Sequence, residues 1–210
     1  IEGSAGIAKL LSSATISAIA AIAGILCRML SKRSVYRSLG NILLGFAVLM
    51  VGMQMMSAAV SPLKDSAVFT RTITMFANPL LGILLGIVMT AILQSASASI
   101  GILQALSVTG ALTFATAFPV ILGIGVGASC PVMLSAIGAN KNGKRTALAY
   151  LLENLFGMVI WLVGFYALNA AFRFSFVDMT VNPVLIAMIN SAVRIVTAIC
   201  LFPFIGAMEK

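Results

Sequence analysis

The sequence predicts an all-α polytopic membrane protein: a helix bundle with one re-entrant hairpin and one discontinuous helix. Three observations lead there. Of the 210 residues, 61% are hydrophobic and only 9% charged, whereas a soluble domain is usually about 25% charged. Mean hydropathy is +1.13. The charges fall in short stretches, and apolar segments of spanning length lie between them. The net charge of +8 does not point to nucleic acid, because Lys and Arg gather between helices and no basic face carries interleaved aromatics. Cys27, Cys130 and Cys200 lie in apolar segments and read as small hydrophobes rather than disulfides or metal ligands. With no His, a zinc centre and a His-based triad are not expected, and no enzyme motif or cofactor site is visible.

The first apolar segment, 14–30, ends in a basic stretch with Arg28, Lys32, Arg33 and Arg37. The second, 39–60, has no charge and Gln54 as its only larger polar side chain. A polar connection over 61–78 follows, and Pro79 suits the first position of a helix, where its missing N–H costs nothing. The third segment, 80–106, is interrupted by Gln94–Ser99. The fourth, 114–137, is interrupted at Gly123-Ile124-Gly125-Val126-Gly127-Ala128-Ser129-Cys130-Pro131, where alternate glycines followed by Pro predict irregular helix. The fifth and sixth segments, 147–168 and 184–202, flank a loop with balanced charges, Arg173 and Asp178. Trp161 and Tyr166 read as anchors at the outer interface. The chain divides into 1–38 (a connection and a transmembrane helix), 39–138 (a core with two helix breaks) and 139–210 (a loop and two last helices), all one membrane domain. It begins without Met and stops just after an apolar helix, so it reads as part of a longer protein.

Charge bias sets the topology. Loops 31–38 and 139–146 each carry three positive charges and no acid, and both are expected to be cytoplasmic. The second segment then exits and the chain must be inside again by Lys141. The third and fourth segments together therefore make an odd number of crossings: one spans and the other is a re-entrant hairpin. Both contain a break, so the sequence leaves open which does which.

The run Gln94-Ser95-Ala96-Ser97-Ala98-Ser99 is the most informative stretch. Lipid offers no partner to backbone polar groups, so a cluster of small polar residues at membrane depth has two readings. It is either a surface for helix packing or a helix break that lines a substrate or ion site. The Gly-rich stretch of the fourth segment has the same two readings, site-lining or close-packing notch.

The residues Leu39-Gly-Asn-Ile-Leu-Leu-Gly-Phe46, Pro62-Leu63-Lys64-Asp65, Leu93-Gln94-Ser95-Ala96-Ser97-Ala98-Ser99 and Ser135-Ala-Ile-Gly138-Ala139-Asn140 resemble the second half of bacterial sodium–phosphate cotransporters of the type II group. Gln94 onward is similar to that family's Gln-Ser-Ser-Ser signature. The resemblance covers nearly the whole chain. It implies two inverted-topology repeats meeting at a central site, with this chain supplying one of them. The other would lie upstream in the same protein or come from a second subunit. It also implies sodium-coupled symport of inorganic phosphate by alternating access in the cell membrane. Phosphate and sodium would be the small partners, sodium the coupling ion, and no cofactor would be used. Gln94, Ser95, Ser97 and Ser99 would hold substrate, and Gly123, Gly125, Gly127 and Ser129 would line the ion or substrate site.

The chain departs from the pattern in several places. Ala96 replaces the signature's middle Ser, and Gly125, Ala128 and Pro131 stand where the second motif has Asn, Thr and Thr. Three oxygen-bearing side chains are thus missing. Transport of another anion, a different coupling ion, or a module that no longer transports remain open alternatives.

Glu153 and Arg194 are the only charged residues deep in the expected spans. A lone charge at the bilayer centre costs about 2.5–3.5 kcal/mol on insertion scales, so each should be paired or functional. Their depths in two antiparallel helices are compatible with an intramembrane ion pair, or with Arg194 as counter-charge for an anion. Asn154 and Asn190 are intramembrane amides suited to interhelical hydrogen bonds.

Overall fold

The computed structural model describes residues 13–31 and 33–204. Residues 1–12, Lys32 and residues 205–210 lie outside this description. The chain forms two compact units that divide between Ala59 and Val60. Every regular element among the described residues is helical apart from a single bridge between Thr113 and Thr180.

The first unit is a helical hairpin of α1 (Ser13–Leu30) and α2 (Ser34–Val60). The helices touch at Gly24 and Gly40. A Cβ on Gly40 would lie 2.7 Å from the Gly24 carbonyl oxygen, so only glycine lets the backbones come this close. Arg37 Nε donates to the Ser31 carbonyl at 3.2 Å across the turn.

In the second unit a 3₁₀ turn, Ser61–Asp65, leads to α3 (Ala67–Met75). The sequence reading took 61–78 as a polar connection, and the helix there is a correction. Ser66 caps it by accepting from the Phe69 N–H at 3.3 Å, while Phe69 and Ile73 turn one apolar face into the core. Asn78 caps α4 (Pro79–Leu93), with Pro79 in the expected first position. Helix α5 (Ala96–Ser107) follows after the break at Gln94, then α6 (Phe114–Gly127), α7 (Ser129–Ser135), α8 (Lys141–Phe172) and α9 (Pro183–Leu201).

Among the described residues, four helical stretches are long and apolar enough to cross a membrane: Ser34–Leu63, Phe114–Ser135, Lys141–Phe172 and Pro183–Leu201. The third segment is different. Helices α4 and α6 run parallel, because Gly82 meets Pro119, Gly86 meets Gly123, and Thr90 meets Gly127. After Gln94 the chain turns back. Leu85 and Met89 of α4 face Leu103 and Leu106 of α5 around one apolar space, together with Leu112, Thr116 and Val120. At the far end of α5, Gln104 Nε2 donates to the Pro183 carbonyl at 3.0 Å, at the start of α9. The end of α5 thus lies level with the starts of α4, α6 and α9. Two backbone hydrogen bonds fix the same level: Phe114 N to Met179 O and Val181 N to Leu112 O, each 2.9 Å. The third segment is therefore the hairpin, and the fourth runs the full length through α6 and α7.

That fourth segment also corrects an expectation. Gly123, Gly125 and Gly127 lie inside regular helix, and the only interruption is at Ala128, between α6 and α7. Glycine weakens a helix but does not forbid it. Here the glycines bring α4 against α6 closely enough to bury most of α6. The core is centred on this helix, around Phe118, Ile121 and Ile124, with Ile83, Leu103 and Ile186 from its neighbours.

Candidate functional site

The break between α4 and α5 is built by four residues. Gln94 ends α4 in the left-handed conformation, φ 53°, its N–H still bonded to the Thr90 carbonyl at 2.8 Å. Such a φ is uncommon without glycine and marks a backbone held by its surroundings. Ser95 is extended and caps α5, its hydroxyl accepting from the Ala98 N–H at 3.2 Å. Ser99 Oγ donates to the Ser95 carbonyl at 3.0 Å and accepts from Thr90 Oγ1 at 3.0 Å. Thr90 and Ser99 are both 0% exposed, so this staple ties the last turn of α4 to the first turn of α5 in the dry interior. Gln94 and Ser97 are exposed and Ser95 is half-buried, with Ser95 and Ser97 hydroxyls 3.2 Å apart. The first-turn N–H groups of Ala96 and Ser97 have no intrahelical acceptor, and the positive end of the α5 dipole points the same way. The break thus presents hydroxyls, an amide and backbone donors together, a set suited to oxyanions.

The structure brings the four predicted residues of this stretch together but gives them different surroundings. Ser99 is committed to the staple, while Gln94, Ser95 and Ser97 line its outer side. Thr90 carried no site expectation in the sequence. Its signal was available: it sits one turn before Gln94 in an otherwise apolar helix.

The glycine stretch separates by face. Gly123 and Gly127 pack on α4: a Cβ on Gly123 would collide with the Ile83 carbonyl, and one on Gly127 would lie 2.8 Å from the Ile87 carbonyl and from Thr90. Gly125 points the other way, toward Asn154. Ser129, fully buried, accepts from Asn154 Nδ2 at 3.4 Å, and the same amide donates to the Tyr150 carbonyl at 2.8 Å. The level of the Gln94 break and the α6–α7 junction are thus neighbours through Thr90 and Gly127.

Beside that junction, α6, α8 and α9 flank a half-open cavity of about 70 Å³, with Glu153 and Arg194 exposed at its mouth. Gly125, Glu153, Asn154, Asn190, Arg194 and Thr197 supply its polar rim. Glu153 and Arg194, expected to lie at matching depth, line the same space, yet no salt bridge joins them among the described residues. Thr197 Oγ1 accepts from Trp161 Nε1 at 3.1 Å. Trp161 also donates to the Val193 carbonyl at 3.2 Å and packs edge-on to Phe118. It therefore ties α8 to α9 through its indole N–H.

The family model described as Na+/Pi-cotransporter matches residues 49–182. An uncharacterized protein, YqeW, of Bacillus subtilis (strain 168) is 32% identical over 80 residues, 38% of this chain and 26% of the relative. Sodium-dependent phosphate transport protein 2B of Pongo abelii is 28% identical over 137 residues, 61% of this chain and 20% of that protein. The protein of the same name in Homo sapiens is 28% identical over 103 residues, 48% of this chain and 15% of its own length. The chain thus matches about a quarter or less of the length of these relatives. No solved structure matches it.

Proposed function

The chain belongs to the Na+/Pi-cotransporter family, and from that premise we propose that it forms about half of a sodium-coupled phosphate symporter. The observation that carries this reading is the break at Gln94, where helix-end donors and Ser hydroxyls gather at the tip of a hairpin inside a membrane bundle. Holding an anion at membrane depth requires donors and compensating charge, because an isolated buried ion is very costly. The break supplies donors and the α5 dipole; bound sodium supplies the remaining charge. Gln94, Ser95 and Ser97 contact phosphate, and Ser99 holds the break in shape. Gly125 and Ser129 line the adjacent side, with Gly123 and Gly127 allowing the close approach of α4 and α6. A second repeat, upstream in the same protein or in a second subunit, presents the matching half of the site. Transport follows by alternating access around this centre. The protein sits in the cell membrane with loops 31–38 and 139–146 cytoplasmic.

The experiment is uptake of radiolabelled phosphate into proteoliposomes of the full-length parent protein, with and without an inward sodium gradient. Sodium-dependent uptake that falls at least about tenfold in Gln94→Ala is expected, the scale of one lost transition-state contact. Uptake unaffected by that change would remove the break from the site. One observation favours a second reading, a different coupling ion. Gly125, Ala128 and Pro131 supply no side-chain oxygen at three positions around the α6–α7 junction, leaving the Ser129 hydroxyl as the side-chain oxygen there. In that case phosphate uptake persists without sodium.

A further inference from the structure

The half-open cavity between α6, α8 and α9 is edged by three polar side chains with no hydrogen-bond or ion-pair partner among the described residues: Glu153 and Arg194, exposed at its mouth, and the half-buried Asn190. Lipid cannot satisfy them, and an intramembrane charge without a partner is costly. The polar groups are also sorted by helix. Asn190, Arg194 and Thr197 stand at i, i+4 and i+7 on one face of α9. They offer a guanidinium, an amide and a hydroxyl whose oxygen already accepts from Trp161, leaving its proton to donate. On α8, Glu153 offers a carboxylate, and the Asn154 amide spends its N–H groups on Tyr150 and Ser129, leaving its oxygen toward the cavity side. One wall donates and carries positive charge; the other accepts. The space has room for several waters or one small polyatomic ion.

We propose that this cavity is an oxyanion site in which Arg194 binds the anion and Glu153 selects for one that carries a hydroxyl. Phosphate keeps at least one proton at neutral pH, and its P–OH can donate to Glu153 while its charged oxygens meet Arg194, Asn190 and Thr197. Sulfate has no proton, so one of its oxygens would face the carboxylate with both groups negative. A site built to hydrogen-bond a ligand hydroxyl rejects the analogue that lacks it, because the site's own acceptor is left unpaired. This inference rests on the reading of the protein as a phosphate transporter, and names a specificity residue apart from the break at Gln94.

The test is equilibrium binding of radiolabelled inorganic phosphate to the full-length parent protein in lipid nanodiscs, with sulfate and arsenate as competitors. Wild type should bind phosphate, with arsenate competing well and sulfate poorly. Glu153→Gln, nearly isosteric, should narrow the preference for phosphate over sulfate by about tenfold or more. Arg194→Gln should weaken both anions; Arg194→Lys, which keeps the charge, should retain part of the binding if the glutamine variant fails to fold. Wild-type binding with an unchanged preference in Glu153→Gln overturns the inference alone and leaves the break as the phosphate site. No phosphate binding by folded wild type overturns the transport reading and this inference with it.

Discussion

Two buried hydroxyls hold the break in shape, and they are not equivalent. Ser99 both accepts from Thr90 and donates to the Ser95 carbonyl, whereas Thr90 only donates within this pair. Removing the Thr90 hydroxyl with the isosteric Thr90→Val leaves Ser99 still bonded and should cost about 0.5–1.5 kcal/mol, the net worth of one hydrogen bond. Removing the Ser99 hydroxyl strands a fully buried Thr90 donor as well, and should cost about 1–3 kcal/mol. Thermal melts of the detergent-solubilised protein should therefore rank Ser99→Ala below Thr90→Val. The reverse order would mean that the staple is not what shapes the turn.

Among the elements, α4 and α6 depend on each other most directly. Gly86 sits against the Val120 carbonyl and Gly123 against the Ile83 carbonyl, contacts in which backbone meets backbone and no side-chain rotation can make room. Gly123→Ala should force α4 outward at a cost of about 1–3 kcal/mol or more. Gly52→Ala in α2 has open space around it and should be tolerated, since alanine is the better helix former. Because α4 is one arm of the hairpin that carries Gln94, the same Gly123→Ala should also lower phosphate uptake, although residue 123 packs on Ile83 rather than on Gln94. A melting temperature equal to that of Gly52→Ala would show that the two helices are held apart in the bilayer. Small residues four apart, at 82 and 86 and again at 123 and 127, were present in the sequence as a packing pattern. Their partnership was not visible, because Gly86 and Gly123, far apart in sequence, meet only once the hairpin has folded back.

Across the whole molecule, the positive charges predict orientation and the packing predicts which ends share a side. Residues 112–114 and 179–181 are joined by backbone hydrogen bonds at one end of the second unit. Helix α8 runs antiparallel to α6, with Phe114 against Phe165 and Ser129 against Asn154, so residues 139–146 lie at the other end. In a background with Cys27, Cys130 and Cys200 replaced by Ala, Met179→Cys should react with a membrane-impermeant maleimide added to intact cells. Asn142→Cys should react only after permeabilisation. Labelling of both from outside would reverse the orientation argued from charge. The membrane class, the helix start at Pro79 and the break at Gln94 were legible in the sequence, because each follows from local hydropathy or from the chemistry of helix ends. The α3 helix was missed because its apolar face is short and its surroundings polar. The regular course of α6 through three glycines was missed because the packing on α4 that supports it comes from outside the segment. By itself, then, the sequence determined what enters the membrane and where a helix must stop. Only the tertiary structure decided that the third segment turns back and the fourth runs through, that Thr90 and Ser99 close the break, and that Glu153 and Arg194 line one cavity without forming an ion pair. Those outcomes depend on helices far apart in the chain meeting face to face, and no local property of either helix specifies that meeting.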